Sequence, residues 1–575
     1  MQTNPNFQPS AAAAPGNMDP GFAPRILIVG GVAGGASTAA RARRLSESAE
    51  IVLFERGPHV SFANCGLPYY VGGEIADRED LLVQTPASLK SRFNLDVRVN
   101  SEVLRIDRAG RTVFVRNRLT GEEYSERYDK LVLATGATPL RPPIPGLDRP
   151  LHFMVRNIPD VERIVAWADE AAGQRVVVVG GGYIGLEMAE QLRQRGLEVT
   201  MVEALPQVMA PLDPEMAAWL HAELREQGVR LCLGDGVASF EPPGADEPAG
   251  ASIVVLKSGL RLPADAVILG LGVKPEISLA REAGLEIGAL GGVRVDGGMR
   301  SSDPDIFAVG DVVEVKDGVT GNWALIPLAG PANRQGRIAA DNMFGGNSAY
   351  PGTWGTAVLR LFRLTAACTG SGAKALKRAG IPFESVHLHP GSHAGYFPGA
   401  EPIALKLLFA PDTGRLLGAQ AVGRDGVDKR MDVLAVALKA GMTVHDLAEL
   451  ELCYAPPFGS AKDPVNLAGM AAQNVLAGRV RQVQWDEVPA LDPAKFQLLD
   501  VRSSEEHEKG FIPGSLFIPV NDLRRRMAEL PRDRELVVYC QSGLRSYIAA
   551  RLLEQHGFKA RNLSGAWRTW KAATG

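Results

Sequence analysis

The sequence predicts an α/β protein built on parallel sheets, and three observations predict it. The continuous apolar run Arg25-Ile26-Leu27-Ile28-Val29 passes straight into Gly30-Gly31-Val32-Ala33-Gly34-Gly35 and then into a helical stretch. A second run, Arg175-Val176-Val177-Val178-Val179, passes into Gly180-Gly181-Gly182-Tyr183-Ile184-Gly185 in the same way. Further on, Glu535-Leu536-Val537-Val538-Tyr539 enters a short loop that opens on Cys540 and leads to another helix. An apolar strand followed at once by a tight turn and a helix is how a βαβ unit begins, with strands covered on both faces.

Composition narrows the possibilities. A chain of 575 residues has room for roughly three to five domains, each able to bury a core. The formal net charge of -3 gives no reason to expect nucleic acid or an anionic membrane as partner. The five cysteines, Cys65, Cys232, Cys368, Cys453 and Cys540, are odd in number, widely spaced and without a CxxC pair. That pattern is neither a disulfide framework nor a metal site, and it fits the reducing cytoplasm. No apolar run reaches the ~18 residues of a membrane span. Residues 1–23, rich in Ala, Pro, Asn and Gln, read as a disordered tail rather than a signal peptide.

Taken in order, the first unit has its helix expected over Ala36 to Leu45 and its next strand ending at Glu55. Gly30 and Gly35 would let the backbone turn and a pyrophosphate approach the helix, and Glu55 would bond a ribose. Val32 takes the middle place of the GxGxxG pattern, so the match is imperfect; a tight turn that binds nothing is the alternative. The second unit is complete, with Gly180, Gly182 and Gly185, a helix over Leu186 to Arg195 and a strand ending at Glu203. A carboxylate there bonds a 2′-hydroxyl and repels a 2′-phosphate, which predicts NADH rather than NADPH. Two such units imply two dinucleotides, one a flavin and the other a nicotinamide. Between and after them, Leu131 to Gly136 is a strand ending in Thr135-Gly136, and Ser302 to Asp311 is a strand ending in Gly310-Asp311 at an expected helix start.

The order of these pieces resembles the FAD-dependent pyridine nucleotide–disulfide oxidoreductases, from about residue 24 to 475. The resemblance implies Rossmann-like FAD and NAD domains: 24–150 and 273–330 for FAD, with Asp311 on its ribityl chain and Thr135 and Gly136 beside it, and 151–272 for NAD. The stretch Ser61-Phe62-Ala63-Asn64-Cys65-Gly66-Leu67-Pro68 resembles the single-cysteine branch, which holds coenzyme A disulfide reductase, NADH oxidase and NADH peroxidase. Most disulfide reductases carry a second cysteine a few residues on; here the next is Cys232. Cys65 then has no local resolving partner, and a disulfide or persulfide on it forms with something brought in. Its bland alternative is a small buried hydrophobe.

For coenzyme A, the resemblance implies contacts from Ser37, Arg41, Arg44, Ser61 and Asn64, with Asn333 standing where histidine is common. Arg41 and Arg44, three apart, share a helix face, which is equally what a solvated face looks like. Residues 331–475 are expected as an α+β dimerisation domain of a homodimer. In it Tyr396, Tyr454 and Lys462 match positions that reach the partner subunit's site. A phenol can donate a hydrogen bond to a thiolate or a flavin, and a lysine can pair with a phosphate.

A linker is expected at 476–487 and a small α/β domain at 488–575. Phe496 to Arg502 reads as a strand, Gly510 to Ser515 as a turn, and Cys540-Gln541-Ser542-Gly543-Leu544-Arg545 as a strand-to-helix loop. Backbone N–H groups around such a cysteine, with Arg545, would stabilise a thiolate. This resembles a rhodanese domain, with Phe511 in place of the usual histidine. Its six-residue loop suits a persulfide sulfur better than a phosphate.

Together these readings predict an NADH-dependent flavoprotein reductase of sulfane sulfur or disulfides. Coenzyme A persulfide, polysulfide and coenzyme A disulfide are the expected substrates, Cys65 the nucleophile and Cys540 the persulfide carrier. Cys65 is expected deep against the flavin and Cys540 on an exposed loop of a tethered domain. The alternatives are an NADH oxidase or peroxidase whose cysteine cycles through sulfenic acid, and a redox-sensing sulfur carrier.

Overall fold

The computed structural model describes residues 23–171, 174–244 and 250–575, so the expected N-terminal tail lies, apart from Ala23, outside the described residues. The chain forms two compact units. One holds the chain up to Pro206 together with Val229–Gly355; the other holds Gln207–Gly228 and Thr356–Gly575.

The first unit contains two five-stranded parallel sheets. In one, Arg25–Val29 lies between Glu50–Phe54 and Lys130–Leu133, with Asp96–Arg98 and Ile306–Ala308 at the edges. In the other, Arg175–Val179 lies between Glu198–Glu203 and Ala266–Leu269, with Arg230–Leu233 and His152–Phe153 outside. Each central strand is thus the point where strand order reverses, and the crevice beyond its C-terminal end is where such sheets take a ligand. Ile26, Leu27, Ile28, Val52 and Leu131 are wholly buried, as the unbroken apolar runs require.

Both helices after the glycine-rich loops begin three residues earlier than the sequence suggests, at Ala33–Leu45 and Tyr183–Gln194. Gly35 and Gly185 therefore lie in the helices, where a Cβ would stand 1.8 and 1.9 Å from the carbonyl oxygens of Gly30 and Gly180. Asp311 does not open a helix. The chain turns after Gly310 into the strand Val313–Lys316, whose valines are buried and β-branched. The Ala329–Met343 helix packs against Ala33–Leu45, so residues 331–343 belong with the first sheet rather than with the dimerisation domain.

The second unit has an antiparallel sheet in the order Ala357–Leu361, Leu364–Gly370, Leu416–Gly423, Ile403–Phe409, Glu384–Leu388. A parallel sheet follows, ordered Gln482–Val483, Ala560–Leu563, Glu535–Tyr539, Phe496–Asp500, Leu516–Phe517. Its edge strand falls inside the stretch expected as a linker, because Val483 is buried in that core.

The C-terminal domain is not loosely tethered. Ser564, after its last long strand, accepts the His387 N–H at 3.1 Å and lies 3.2 Å from His387 Nδ1. Thr569 Oγ1 is 2.9 Å from His389 Nε2. Behind His387, Nε2 meets Glu215 at 3.0 Å, and Lys406 pairs with both Glu215 and Asp213. Burial alone would raise the Glu215 pKa, but His387 and Lys406 outweigh it and hold the carboxyl below its usual range. A buried charge set of this kind is tolerated only with every partner in place.

Candidate active site

The two glycine-rich loops are held by the same device. Glu55 accepts the N–H groups of Gly31 and Gly57 at 2.9 and 2.8 Å. Glu203 accepts those of Gly181 and Leu205 at 2.6 and 2.8 Å. Each carboxylate fixes its loop and keeps further lone pairs for a ribose. Gly30 and Gly180 take left-handed φ of 104° and 108°, where a Cβ would strike the carbonyl of Ala134 or Gly270. Val32 has φ -97° and Gly182 φ -80°, so the middle position places no demand on the backbone and a valine is tolerated.

Beyond the first loop a cavity is lined by Val32, Glu55, Cys65, Gly136, Arg156 and Asp311, among others. Thr135 hydroxyl donates to the Glu276 carbonyl at 2.6 Å and so fixes the turn at Gly136, whose φ is 68°. A helix N-terminus, a turning glycine loop and a carboxylate at the ribose position fit a flavin dinucleotide; the second loop, with the same parts, fits a nicotinamide dinucleotide.

Cys65 sits in the short turn Asn64–Gly66, which runs into the helix Leu67–Gly72. It opens onto the cavity of the first nucleotide loop, where a flavin is expected, while Cys540 is fully buried rather than on an exposed loop, because it comes straight after the central strand of its domain. Loss of hydration raises the Cys65 thiol pKa, and Glu187 and Asp311 add to it. Asp311 is itself raised by burial, against the opposing pull of Arg156. Glu187, in the first turns of the second nucleotide helix, accepts a hydrogen bond from Tyr69 at 3.2 Å. Gln191 of the same helix donates to Glu74 at 3.0 Å. The thiol-bearing segment is therefore braced on the helix of the second nucleotide unit.

The residues expected to meet coenzyme A lie on neighbouring elements. Ser37 donates to Asn333 across the two packed helices. Arg41 donates to Asp341 at 2.6 Å, so its charge is partly answered within the chain, and Arg44 is exposed. Ser61 holds φ 48° and donates its N–H to the Gly31 carbonyl at 2.8 Å, next to the Asn64–Cys65 turn.

In the second unit the Tyr396 and Tyr454 hydroxyls lie 2.8 Å apart, both exposed, at 76 % and 49 %. Their bond pushes the Tyr396 phenol pKa up. Lys462 is exposed, and its neighbour Asp463 caps the helix Pro464–Leu476. Buried Arg430 bonds both Asp463 and the Ser392 carbonyl at 2.9 and 2.7 Å, tying together the loops that carry Tyr396 and Lys462.

Around Cys540, the Gly543 N–H and the Ser546 hydroxyl donate to the sulfur at 3.1 and 3.4 Å. Arg545 forms a two-pronged pair with Glu506, 2.7 Å on each side. His507 lies 2.9 Å from Asp500 and stacks on Phe511 at 4.5 Å, so an imidazole stands one ring away from the position Phe511 occupies. Sequence reasoning missed Glu187, Glu506, His507 and Ser546. The signals available were an acidic residue two places after Gly185 and a histidine four places before Phe511.

Two nucleotide loops, a lone cysteine on the first cavity and a second cysteine in a strand-to-helix loop define a redox protein with an attached sulfur-handling domain. The chain belongs to the pyridine nucleotide-disulphide oxidoreductases: residues 24–336 match that family, 357–464 its dimerisation domain and 487–573 the rhodanese-like domain. It is 50 % identical to the reduced CoADR-RHD of Bacillus anthracis, with a TM-score of 0.93 over 96 % of this chain and 98 % of that one. A NAD-dependent persulfide reductase from A. fulgidus is 38 % identical, with a TM-score of 0.89 over 95 % of this chain and all of its own. A coenzyme A disulfide reductase of Staphylococcus haemolyticus is 34 % identical over 78 % of this chain and its whole length. Among the described residues no helix is long and apolar enough to cross a membrane, and no group of three or more His, Cys, Asp or Glu could hold a metal ion.

Proposed function

We propose that this chain is an NADH-dependent flavoprotein reductase that acts on the sulfane sulfur or disulfide of a small thiol carrier, with coenzyme A persulfide, coenzyme A disulfide or polysulfide as substrates. The observation that carries the reading is Cys65, exposed on the cavity of the first nucleotide loop, in a chain that also carries the Cys540 loop. A flavin held at the first nucleotide loop would supply the two-electron chemistry that links NADH to the sulfur bonded to Cys65.

The Cys65 thiolate attacks one sulfur of the substrate's S–S bond; a new bond forms to Cys65, and the other sulfur leaves with the electron pair and takes a proton. Two further electrons return Cys65 to the thiolate and release the second thiol, or hydrogen sulfide where the substrate is a persulfide. Ser37, Arg41, Arg44, Ser61, Asn64 and Asn333 orient the coenzyme A portion. In the homodimer, Tyr396, Tyr454 and Lys462 of the partner subunit complete the site; a phenol there protonates the departing sulfur. Gly30, Gly35, Glu55, Thr135, Gly136 and Asp311 hold FAD, and Gly180, Gly182, Gly185 and Glu203 hold NADH. Cys540 carries a sulfane sulfur as its persulfide. The reducing cytoplasm is the compartment that the wide spacing of the five cysteines suits.

The test is anaerobic NADH oxidation against coenzyme A persulfide, coenzyme A disulfide, polysulfide and, separately, oxygen and peroxide. Turnover with sulfur acceptors supports the reading. Faster NADH consumption by oxygen or peroxide than by any sulfur acceptor would make the protein an oxidase or peroxidase, and FAD binding without turnover on any acceptor would make it a sensor.

A further inference from the structure

The proposal builds on the reading of Cys540 as a sulfur carrier and concerns which donor loads it. An oxyanion donor is met best by a guanidinium whose N–H groups are free to bond it. Here Arg545, in the first turn of the helix Leu544–Gln555 that follows Cys540, gives two N–H groups to Glu506, at 2.7 Å each. Both side chains of the pair are about a third exposed, whereas Cys540 is not exposed at all. A donor therefore meets the ion pair before it meets the sulfur. Two apolar side chains stand close to the pair along the chain: Leu544, the first residue of that helix and next to Arg545, is 68 % exposed, and Phe511, stacked on the ring of His507 beside Glu506, is 47 % exposed.

We propose that Glu506 is a specificity-determining residue of the Cys540 loop: it occupies the guanidinium that an oxyanion donor would need, and so selects thiol persulfides over thiosulfate. Thiosulfate is a dianion whose sulfonate leaves as sulfite, and it gains little from a cation already paired in a two-pronged bond. An organic persulfide needs no such cation. The Cys540 thiolate attacks its outer sulfur, the R–S–SH bond breaks, Cys540–S–SH forms, and R–S⁻ leaves with the bonding pair and takes a proton. The sulfane sulfur moves without net oxidation or reduction, so no co-reactant is required. The carrier's organic arm can lie on Leu544 and Phe511.

The test is sulfur transfer by the full-length protein to cyanide, without NADH, from thiosulfate and from coenzyme A persulfide, with Cys540→Ser subtracting the uncatalysed reaction. Leaving NADH out separates this result from the fate of the reductase reading. The unaltered protein is expected to favour the persulfide. Glu506→Gln, similar in size and able to hydrogen-bond, should raise kcat/KM for thiosulfate roughly tenfold, the effect of one freed cation facing a dianion, and shift the ratio of donors by a similar factor. Adding Arg545→Gln should remove the gain. An unchanged donor ratio in Glu506→Gln, an equal fall with both donors, or a gain that survives in the double variant would each overturn the proposal.

Discussion

The Gly181 N–H donates to the Glu203 carboxylate at 2.6 Å, so the acidic residue at the end of the second nucleotide strand is locked onto the loop that faces the cofactor. It cannot swing away from a 2′-phosphate, and Ala204, Leu205 and Pro206 offer no compensating cation. NADH should exceed NADPH in kcat/KM by roughly tenfold or more, since a like-charge contact costs several kcal/mol. Glu203→Ala should narrow the gap. Equal specificity constants in the unaltered protein would show that this carboxylate does not face the ribose.

Replacing Cys65 with serine should abolish reduction of every sulfur acceptor while the yellow flavin spectrum stays, because the cofactor loops do not depend on the thiol. Cys540→Ser should still reduce small acceptors that reach Cys65 directly, and should lose transfer from bulky or protein-bound persulfides. If both variants lost small-acceptor reduction equally, Cys540 would belong to the reductase cycle itself.

Glu187 and Asp311 both oppose the Cys65 thiolate, and the walls around the thiol do so more. A raised thiol pKa means that alkylation of Cys65 speeds up only as pH climbs towards and beyond its ordinary value of 9.0. Glu187→Gln removes one repulsive charge, so the pH midpoint of iodoacetamide labelling should move downward. A midpoint that stays put or rises would place Glu187 outside the electrostatic reach of the sulfur.

The exposed Tyr396–Tyr454 pair is the kind of surface feature a partner subunit covers. Phenylalanine at either position should lower NADH-driven reduction of coenzyme A persulfide by about a hundredfold, the lower end of the range for a lost proton donor. The loss should fall on kcat rather than on the KM for NADH. Sedimentation should show a homodimer for all variants; full activity in a monomer would remove the pair from the site.

Much of this site was legible in the sequence because a dinucleotide loop is a local device. The run from Arg25 to Gly35, with Glu55 to follow, carries its own turn and helix start, and even the exception at Val32 is absorbed by an ordinary φ. What the sequence hid was pairing over distance. Nothing near Arg41 announces Asp341, nothing near Arg545 announces Glu506, and nothing near Cys65 announces Glu187; each partner arrives from another element. The strand after Asp311 was misread as a helix because a Gly-Asp turn precedes either, and the buried valines that decide it were visible only as a short β-branched run. The linker was misread because a two-residue edge strand is too short to show a period.

The seam at His387 and Ser564 has a consequence for how the C-terminal domain can be treated. Its sequence limits invite one to cut it away as a cassette, yet the cut would take away the Ser564 and Thr569 hydroxyls that His387 and His389 bond, leaving those buried imidazoles without these partners. The same turn that closes this seam also supplies the Trp567 N–H to the Cys540 carbonyl at 3.0 Å. A disturbance at the seam is therefore transmitted, through four residues of chain, to the backbone beneath the sulfur. The domain has a core of its own, yet its active loop shares a backbone contact with the seam to its neighbour.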